Sequence, residues 1–355
     1  RMFYFTTCGW MMWNWLLSAL ASEVTIVLYD GAPMPAANDD ACWDLVAEER
    51  VTHFGTSAKY LALSQKQGHA PARTHDLSAL RMILSTGSPL VEHSYDFVYR
   101  DVKADVHLAS ISGGTDIISC FALGNPLLPV YRGQLQCFGL GMAVDVWDDA
   151  GQPLRGVAGE LVCTKPFPSM PVGFWNDPDG EKYHAAYFAH FPGIWRHGDW
   201  AEITPQGGLI IHGRSDATLN PGGVRIGTAE IYRTVETLAG IEDSLIVNLD
   251  LPGGRFFMPM FVKLAPGIAL DETLIARIHR ALREQCSPRH VPDRIYAVDA
   301  VPYTLTGKKL EVPVRRILMG MDPAKAASRD AMSNPGALDY FIAFARDQKD
   351  YRITG

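Results

Sequence analysis

The amino-acid sequence predicts an α/β protein in which a large domain with mixed sheets precedes a small α+β domain. Apolar, strand-like runs at residues 2–6 and 24–29 flank a stretch with helical spacing at 11–21, which indicates a parallel strand–helix–strand unit. Between residues 135 and 164, short alternating strands are broken by Gly and Pro, which is typical of an antiparallel, barrel-like sheet. After residue 213 the pattern changes to helices that alternate with strands, which indicates a small α+β module.

The other elements of the large domain are a helix and two strands. The helix is expected at residues 41–49, and the strands at 80–85 and 106–112 end in Gly-containing turns. In the small domain the pattern predicts helices at 229–238 and 271–285, strands at 244–249 and 260–264, and a later helix at 338–347. We therefore divide the chain into residues 1–213, the C-terminal portion of a large domain, residues 214–322, a small domain, and residues 323–355, a tail with one helix.

Composition excludes several classes of function. At 355 residues the chain exceeds what one hydrophobic core usually supports, and its 47% apolar and 20% charged residues are those of a soluble globular protein. The net charge is −7 and no basic stripe is present, so we expect no nucleic-acid partner. The six cysteines have no CxxC spacing, which favours free thiols in a reducing cytoplasm.

The apolar N-terminal stretch at residues 2–21 could be read as a signal peptide or a membrane span. It is interrupted by Thr6, Thr7, Gly9 and Asn14 and continues directly into another strand-like run, so we expect no membrane span. Arg1 is not an initiator methionine, and we expect the chain to begin within a longer protein.

Two motifs in the large domain could contact a ligand. In residues 110–116 (Ser-Ile-Ser-Gly-Gly-Thr-Asp) two glycines allow a close approach of the backbone, and a hydroxyl followed by a carboxylate suits a phosphate with its Mg²⁺. The alternative is an ordinary capped Gly-Gly turn. In residues 196–200 and 213–216, Asp199 could accept both hydroxyls of a ribose with Arg214 beside it, although such pairs also occur as hairpin turns with a surface ion pair.

Two further motifs lie in the small domain. In residues 220–231, two glycines precede Arg225, and Thr228 is placed to cap the following helix, so a plain loop-to-helix junction also explains the pattern. In residues 304–310 (Thr-Leu-Thr-Gly-Lys-Lys-Leu), Lys308 on a glycine-containing loop could reach a phosphate. The alternative is a solvated hairpin tip.

In this order and spacing the four motifs resemble those of the adenylate-forming enzymes, the superfamily that includes acyl-CoA synthetases and luciferases. The run Leu-Asn-Pro-Gly-Gly-Val-Arg-Ile-Gly-Thr-Ala-Glu-Ile at 219–231 is similar to that of the acetyl-CoA-synthetase branch. The resemblance covers essentially the whole chain. It implies a large domain with mixed sheets and a distorted β-barrel, followed by a small, mobile C-terminal domain.

The resemblance also implies a role for each matching residue. It assigns the adenine and α-phosphate segments to Gly87, Ser88, Pro89, Ser110, Ile111, Ser112, Gly113, Gly114 and Thr115. It assigns Mg²⁺ binding to Asp116, ribose binding to Asp199 and Arg214, phosphate binding to Arg225 and Lys308, the domain hinge to Asp216, and the CoA face to Gly222, Gly223 and Arg283. Thr115, Asp116 and Lys308 are thus the expected catalytic residues, and Lys309 is interpreted as a surface residue.

The chain departs from the family pattern in several places. Ser88 and Asp116 each stand where the family has Glu, and Gly113 stands where acetyl-CoA synthetases close the acyl pocket with Trp. An open pocket at Gly113, lined also by Trp10, fits acetoacetate or a comparable short acid better than acetate. The family's Ser/Thr/Gly-rich phosphate loop, ending in Pro-Lys, does not occur in this sequence, so we expect the chain by itself to lack ligase activity.

The function implied is a cytoplasmic ligase that uses ATP, Mg²⁺ and CoA to convert a short keto acid into its CoA thioester through an acyl-adenylate. Two alternatives remain open. One is a synthetase for another short or medium carboxylic acid, and the other is a non-catalytic nucleotide-binding remnant of such an enzyme.

Overall fold

The computed structural model describes residues 1–220, 225–251, 255–305 and 307–347. The described residues form two compact units. The first unit comprises residues 1–197 and 201–211, and the second comprises residues 198–200 together with the chain from residue 212 onward.

The first unit is built on a parallel sheet. Its strands are β1 (Met2–Tyr4), β2 (Ile26–Val27), β3 (His53–Ser57), β4 (Met82–Thr86) and β5 (His107–Ser110), in the order β2-β1-β3-β4-β5. Neighbouring strands are parallel throughout, and Met2 pairs with Ile26 across β1 and β2. This pairing, with a helix between the two strands, confirms the predicted strand–helix–strand unit.

Helices cover this sheet because their apolar sides need a partner. They are α1 (Met11–Ser18), α2 (Ala41–Glu48), α3 (Ala58–Lys66), α4 (Pro71–Thr74) and α5 (Glu92–Phe97). Helix α6 (Glu181–Tyr187) comes later in the chain, and its buried Tyr187 belongs to a different apolar cluster, together with Phe121 and Trp195. Trp43 of α2 packs edge-on against Phe54 of β3 at 5.3 Å between ring centroids, and Tyr60 of α3 packs against both. Burial of such large rings supplies much of the stabilisation of this core.

Further strands follow the parallel sheet, and three of them lie within residues 135–164, the region that the sequence pattern indicated as antiparallel. They are β6 (Ser112–Gly114), β7 (Ser119–Leu123), β8 (Cys137–Phe138), β9 (Val144–Trp147), β10 (Gly159–Cys163), β11 (Trp195–Ile203) and β12 (Leu209–Arg214). The strand orders are β6-β7-β8 in one sheet and β12-β11-β10-β9 in another. Burial alternates residue by residue along β11, so that His197 and Asp199 lie on its buried side.

The second unit is an α+β layer structure. Its strands are β13 (Ile241–Ile246), β14 (Leu249–Leu251), β15 (Arg255–Phe257), β16 (Pro259–Leu264) and β17 (Arg294–Ala297), with orders β13-β16-β17 and β14-β15. Its helices are α7 (Thr228–Val235), α8 (Glu272–Gln285), α9 (Glu311–Leu318), α10 (Pro323–Ala326) and α11 (Ala337–Asp347).

Successive residues of the central strand β16 serve two different cores in this unit. Met260 and Val262 belong to the apolar cluster that contains α7 and α8, whereas Phe261 belongs to the cluster that contains α9 and α11. Phe341 of α11 packs against Phe261 with 4.8 Å between ring centroids. The helix predicted in the tail is therefore part of this second core, because its apolar side covers the sheet.

Within the described part of the chain, no helix is long and apolar enough to cross a membrane. The six cysteines all lie in the described ranges and are free thiols.

Candidate nucleotide-binding site

The structure brings two of the predicted segments together at the carboxyl ends of neighbouring parallel strands. Gly87, with φ of 92°, turns the chain directly after β4 into Ser88 and Pro89. The Thr86 hydroxyl donates a hydrogen bond to the carbonyl of Ile111 at 3.0 Å, and the Ile111 N–H donates to the carbonyl of Ser85 at 2.9 Å. Ligands of parallel sheets bind at such strand ends.

The structure gives a steric reason for glycine at position 113 that the sequence alone did not show. It lies on β6 opposite Cys120 of β7, and a Cβ at this position would lie 2.0 Å from the backbone oxygen of Ser119. A contact of that length with backbone cannot form without moving a strand. Close pairing of β6 and β7 therefore gives a second reason for glycine at this position, and the role of Gly113 in opening the acyl pocket stays a prediction.

Asp116 lies in the exposed turn between β6 and β7 and is held by side chains from later in the chain. The hydroxyl of Tyr187 donates a hydrogen bond to Asp116 Oδ2 at 2.6 Å. The ring of Tyr187 stacks on Trp195 at 3.6 Å, which fixes its orientation. Gly114 leaves room for the carboxylate, because a Cβ there would lie 2.0 Å from Asp116 Oδ1. Thr115 shares the same exposed turn.

His197 approaches this turn from β11, with Nε2 3.4 Å from the carbonyl oxygen of Gly113. A Cβ on Gly114 would lie 3.0 Å from the His197 ring. His197 occupies a buried position of β11. Neither Tyr187 nor His197 could be assigned from spacing, since about seventy to eighty residues separate each from its contact.

Among residues 1–220, 225–251, 255–305 and 307–347, no group of three or more His, Cys, Asp or Glu side chains converges to hold a metal ion. Mg²⁺ seldom uses such a protein cage; it is commonly bound by one or two carboxylates together with substrate phosphates and water. The exposed carboxylate of Asp116 fits that mode of binding.

In the second unit Asp199 and Arg214 form an ion pair, with 3.1 Å between Arg214 Nη1 and Asp199 Oδ1. Asp199 is buried, and Arg214 also donates from Nε to Asp216 Oδ1 at 3.4 Å. Burial opposes the charge of the guanidinium, but Asp199 and Asp216 outweigh it and raise the pKa of Arg214. Gly198, with φ of 85°, allows this approach, because a Cβ there would lie 2.6 Å from Arg214 Nη2.

The predicted hinge residue Asp216 follows β12 in a turn, and its carbonyl accepts a hydrogen bond from Arg315 Nη1 at 3.2 Å. Arg225 lies over the ring of Trp200, with Cζ 5.1 Å from the ring centroid, a cation–π geometry. The predicted CoA-facing residues Gly222 and Gly223 lie outside the described residues. Arg283, the third of that group, is exposed in the last turn of α8.

Helix α7 begins differently from the sequence prediction. Gly227, not Thr228, occupies the N-cap, and its N–H donates to Glu230 Oε1 at 3.0 Å. A Cβ at Gly227 would lie 2.3 Å from the carbonyl oxygen of His212, so a serine or threonine cap does not fit here.

Trp10 is buried beside α1 and packs edge-on against Tyr4 at 6.1 Å. It shares an apolar cluster with Ile111, one of the predicted nucleotide residues. Its position in that cluster is explained by packing alone.

The two neighbouring lysines of the last motif have opposite surroundings. Lys308 is exposed, whereas the side chain of Lys309 is only 15% exposed and forms an ion pair with Asp243 at 2.9 Å. The interpretation of Lys309 as a surface residue is therefore wrong. The carboxylate partner, Asp243, lies 66 positions away in the sequence. The residues next to Lys309 therefore gave no indication that it is enclosed.

The chain is similar to known proteins over most of its length. Residues 1–172 match the family described as AMP-binding enzyme, a family of adenylate-forming enzymes. Both the family resemblance and the mixed α/β fold class predicted from the sequence are confirmed.

Within the family the chain is similar to acetoacetyl-CoA synthetases. It is 57% identical to the acetoacetyl-coenzyme A synthetase of Rhizobium meliloti (strain 1021) over 341 residues, which cover 96% of this chain and 52% of the relative. It is 49% identical to that of Gallus gallus, covering 95% of this chain and 50% of the relative. The solved structure of acetoacetyl-CoA synthetase from Streptomyces lividans matches with a TM-score of 0.89 and 47% identity, covering 98% of this chain and 53% of that one.

The chain thus spans about half the length of the curated relatives it matches.

Proposed function

We propose that this chain belongs to an ATP-dependent acid–CoA ligase whose acid substrate is acetoacetate. In the first half-reaction the acid carboxylate attacks the α-phosphorus of ATP and releases pyrophosphate. In the second, the CoA thiol attacks the acyl carbon of the adenylate and releases AMP. The similarity to acetoacetyl-CoA synthetases supports the choice of acid, and we propose the cytoplasm as the location.

The observation that carries the proposal is the ion pair of Asp199 and Arg214. A buried carboxylate beside an arginine can accept hydroxyl hydrogen bonds from a ribose, and charge-assisted hydrogen bonds are the strong ones. Gly198 leaves room for the arginine beside the carboxylate, because a Cβ there would lie 2.6 Å from Arg214 Nη2. We therefore assign ribose binding to Asp199, with Arg214 as its support.

The other roles follow from placement and charge. Gly87, Ser88 and Pro89 would lie along the adenine, because they leave the strand end that Thr86 ties to Ile111. The other residues assigned to adenine and the α-phosphate would lie on the α-phosphate side of the site. They are Ser110, Ile111, Ser112, Gly113, Gly114 and Thr115.

Positioning and neutralisation of charge are what phosphoryl-type transfer demands of a protein. Lys308 and Arg225 supply cations for the phosphates, and Asp116 would hold Mg²⁺, which would neutralise phosphate charge when bound. The Tyr187 hydroxyl keeps the Asp116 carboxylate in place by its 2.6 Å hydrogen bond. In the second half-reaction Gly222, Gly223 and Arg283 would face CoA, after movement at Asp216.

The experiment uses the full gene product, meaning the polypeptide encoded by the complete reading frame that contains residues 1–355. We expect acetoacetate-dependent exchange of pyrophosphate into ATP, and acetoacetyl-CoA formation when CoA is added. Loss of a hydrogen bond to a charged group costs about 1.5–3 kcal/mol, so Asp199→Ala should lower kcat/KM for ATP by roughly 10- to 100-fold. Asp339→Ala, a change at an exposed aspartate of the same unit, is the matched control and should leave kcat/KM unchanged.

Two results would overturn the proposal. One is the absence of exchange with acetoacetate while another acid supports it, which would refute the substrate. The other is an Asp199→Ala variant with the kinetics of the Asp339→Ala control, which would refute the assignment of the site.

A further inference from the structure

The hairpin that carries Lys308 is tied to the second unit by its other lysine. Lys309 Nζ lies 2.9 Å from Asp243 Oδ1 and 2.5 Å from the carbonyl oxygen of Ser244, and it forms an ion pair with Glu236. An ammonium has three hydrogen-bond donors and no acceptor. These contacts therefore satisfy the whole group within the protein.

Three elements contribute to this enclosure. Helix α7 supplies Glu236 and Tyr232, whose ring centroid lies 3.8 Å from Lys309 Nζ, and β13 supplies Asp243. Tyr232 is fixed in turn by Glu311 of α9, to whose Oε1 its hydroxyl donates at 2.7 Å. Burial alone would lower the pKa of the Lys309 ammonium, but the carboxylates of Glu236 and Asp243 outweigh it and raise that pKa well above its ordinary value. The lysine is thus a permanently charged anchor.

The same network holds the first arm of the hairpin. The hydroxyl of Tyr303 donates to the two oxygens of Asp243 at 2.9 and 2.8 Å, and Tyr303 pairs with Lys309 as an antiparallel bridge. Between the arms, the Thr304 N–H donates to the Lys308 carbonyl at 2.9 Å, and the Lys308 N–H donates to Thr304 Oγ1 at 3.0 Å. Both ends of the loop are therefore fixed to one buried carboxylate.

These contacts hold Lys309 inward, whereas its neighbour Lys308 is exposed. A buried ion pair contributes little net stability compared with apolar residues of similar volume. A gain in stability therefore does not explain why Lys309 is enclosed, whereas a role in orienting Lys308 does.

We propose that Lys309 is a positioning residue for adenylation: with Glu236 and Asp243 it fixes the paired residues 303–304 and 308–309 so that the Lys308 ammonium can meet the nucleotide phosphate. The inference rests on the proposed role of Lys308. Lys309 itself does not contact substrate. It acts on the first half-reaction only, because the second requires no phosphate contact from Lys308.

The test compares variants of the full gene product in both half-reactions. Misplacement of a catalytic group by about 1 Å can cost about 10²-fold, so Lys309→Met should lower kcat of pyrophosphate exchange by that order. Thioester formation from preformed acyl-adenylate should continue at the wild-type rate. Lys325→Met, a change at an exposed lysine of the same unit, is the control and should affect neither.

A second variant separates positioning from stability. Lys309→Met leaves Glu236 buried without its partner, which can lower the Tm, and Lys309→Met with Glu236→Gln removes that unpaired charge. We expect the double variant to regain Tm while its exchange activity stays low. Recovery of exchange together with Tm, or an equal loss in both half-reactions, would overturn the inference.

Lys308→Met distinguishes the two proposals. If Lys308→Met abolishes exchange and Lys309→Met leaves it intact, the positioning role is refuted while the proposed function stands. If Lys308→Met itself retains exchange, the assigned role of Lys308 fails, and the positioning role fails with it.

Discussion

A single missing methyl group defines the geometry at Gly113. The backbone oxygen of Ser119 lies where a Cβ would be placed, at 2.0 Å, so β6 and β7 can pair at this distance only with glycine. The sequence offered a pocket-based explanation for this glycine, because it compared residue types at one position. The strand partner that gives this second explanation is unknown until the fold is known.

We predict that Gly113→Ala lowers the free energy of unfolding by about 1–3 kcal/mol, the usual cost of forcing extra volume into a packed site. Gly173→Ala is the matched control, because a Cβ there meets nothing within 4 Å. It should be neutral or stabilise by about 0.4–1 kcal/mol through the unfolded chain. Urea unfolding of the 355-residue chain measures both. Equal effects of the two substitutions would show that β6 can move to accept a side chain.

At the scale of elements, helix α7 begins in a cluster of charges. Glu230 Oε1 accepts the Gly227 N–H, and its carboxylate lies 3.5 Å from His212 Nδ1 and 3.3 Å from His290 Nε2. Burial works to raise the pKa of Glu230, but the hydrogen bond with His290 and the nearby His212 outweigh it and lower the pKa below its ordinary value of 4.5. The helix start therefore depends on an ionised carboxylate.

A carboxyl group whose pKa is lower in the folded state than in the unfolded state stabilises the fold at pH values above the unfolded-state pKa. This stabilisation is lost as the pH falls through the folded-state pKa. We predict that Glu230→Gln lowers the Tm of the chain at about pH 6 and that its difference from wild type shrinks toward about pH 3.5. Differential scanning calorimetry at the two pH values measures this. Glu284→Gln, at an exposed position of α8, should track wild type throughout. A Glu230→Gln difference that is independent of pH would contradict the ionised cap.

Helices and strands with a clear hydrophobic period were predictable from the sequence, whereas elements that depend on contacts with distant residues were not. The helix at Glu272–Gln285 was evident from Leu274, Ile278 and Leu282, whose spacing places them on one buried side. Strand β3 was missed because its sequence, His-Phe-Gly-Thr-Ser, has weak strand character. Gly55 in that strand is explained only by Tyr4 of the neighbouring strand, since a Cβ there would lie 2.0 Å from the tyrosine ring.

At the scale of the whole molecule, each compact unit contains its own apolar clusters, and most thiols are enclosed in the first. Burial raises the pKa of Cys42 to about 12 and that of Cys120 to about 11. Cys8 is exposed. Thiol reactivity therefore reports on how completely the chain is folded, because the thiolate is the reacting form and must be reached by the reagent.

We predict that a thiol reagent at about pH 8 modifies Cys8 of the native chain first, and Cys42 and Cys120 last. All six thiols should react at once in denaturant without any reductant. Mass spectrometry of quenched samples gives the order, and Cys8→Ser should remove the fast phase alone. Fewer than six reactive thiols after denaturation would reveal a disulfide and refute the assignment of free thiols.

For the candidate site, too, the local sequence predicted residues but not their distant contacts. The order of the motifs identified Asp199, Arg214 and Lys308 as candidates, and Asp199 and Arg214 form the ion pair that a ribose-binding motif would need. Tyr187 beside Asp116 and Asp243 beside Lys309 could not be inferred, because each contact joins segments more than sixty residues apart. Local sequence carries residue identity, and only the folded chain shows which side chain supports it.

Lys308 and Lys309 are the same amino acid, yet one is exposed and the other is enclosed by carboxylates. Deletion of one codon between positions 304 and 307 would keep both amines in the protein but change the register in which Tyr303 and Lys309 pair. Such a variant would score as nearly unchanged in any comparison of composition, and an exchange assay would find it as defective as one that had lost the lysine.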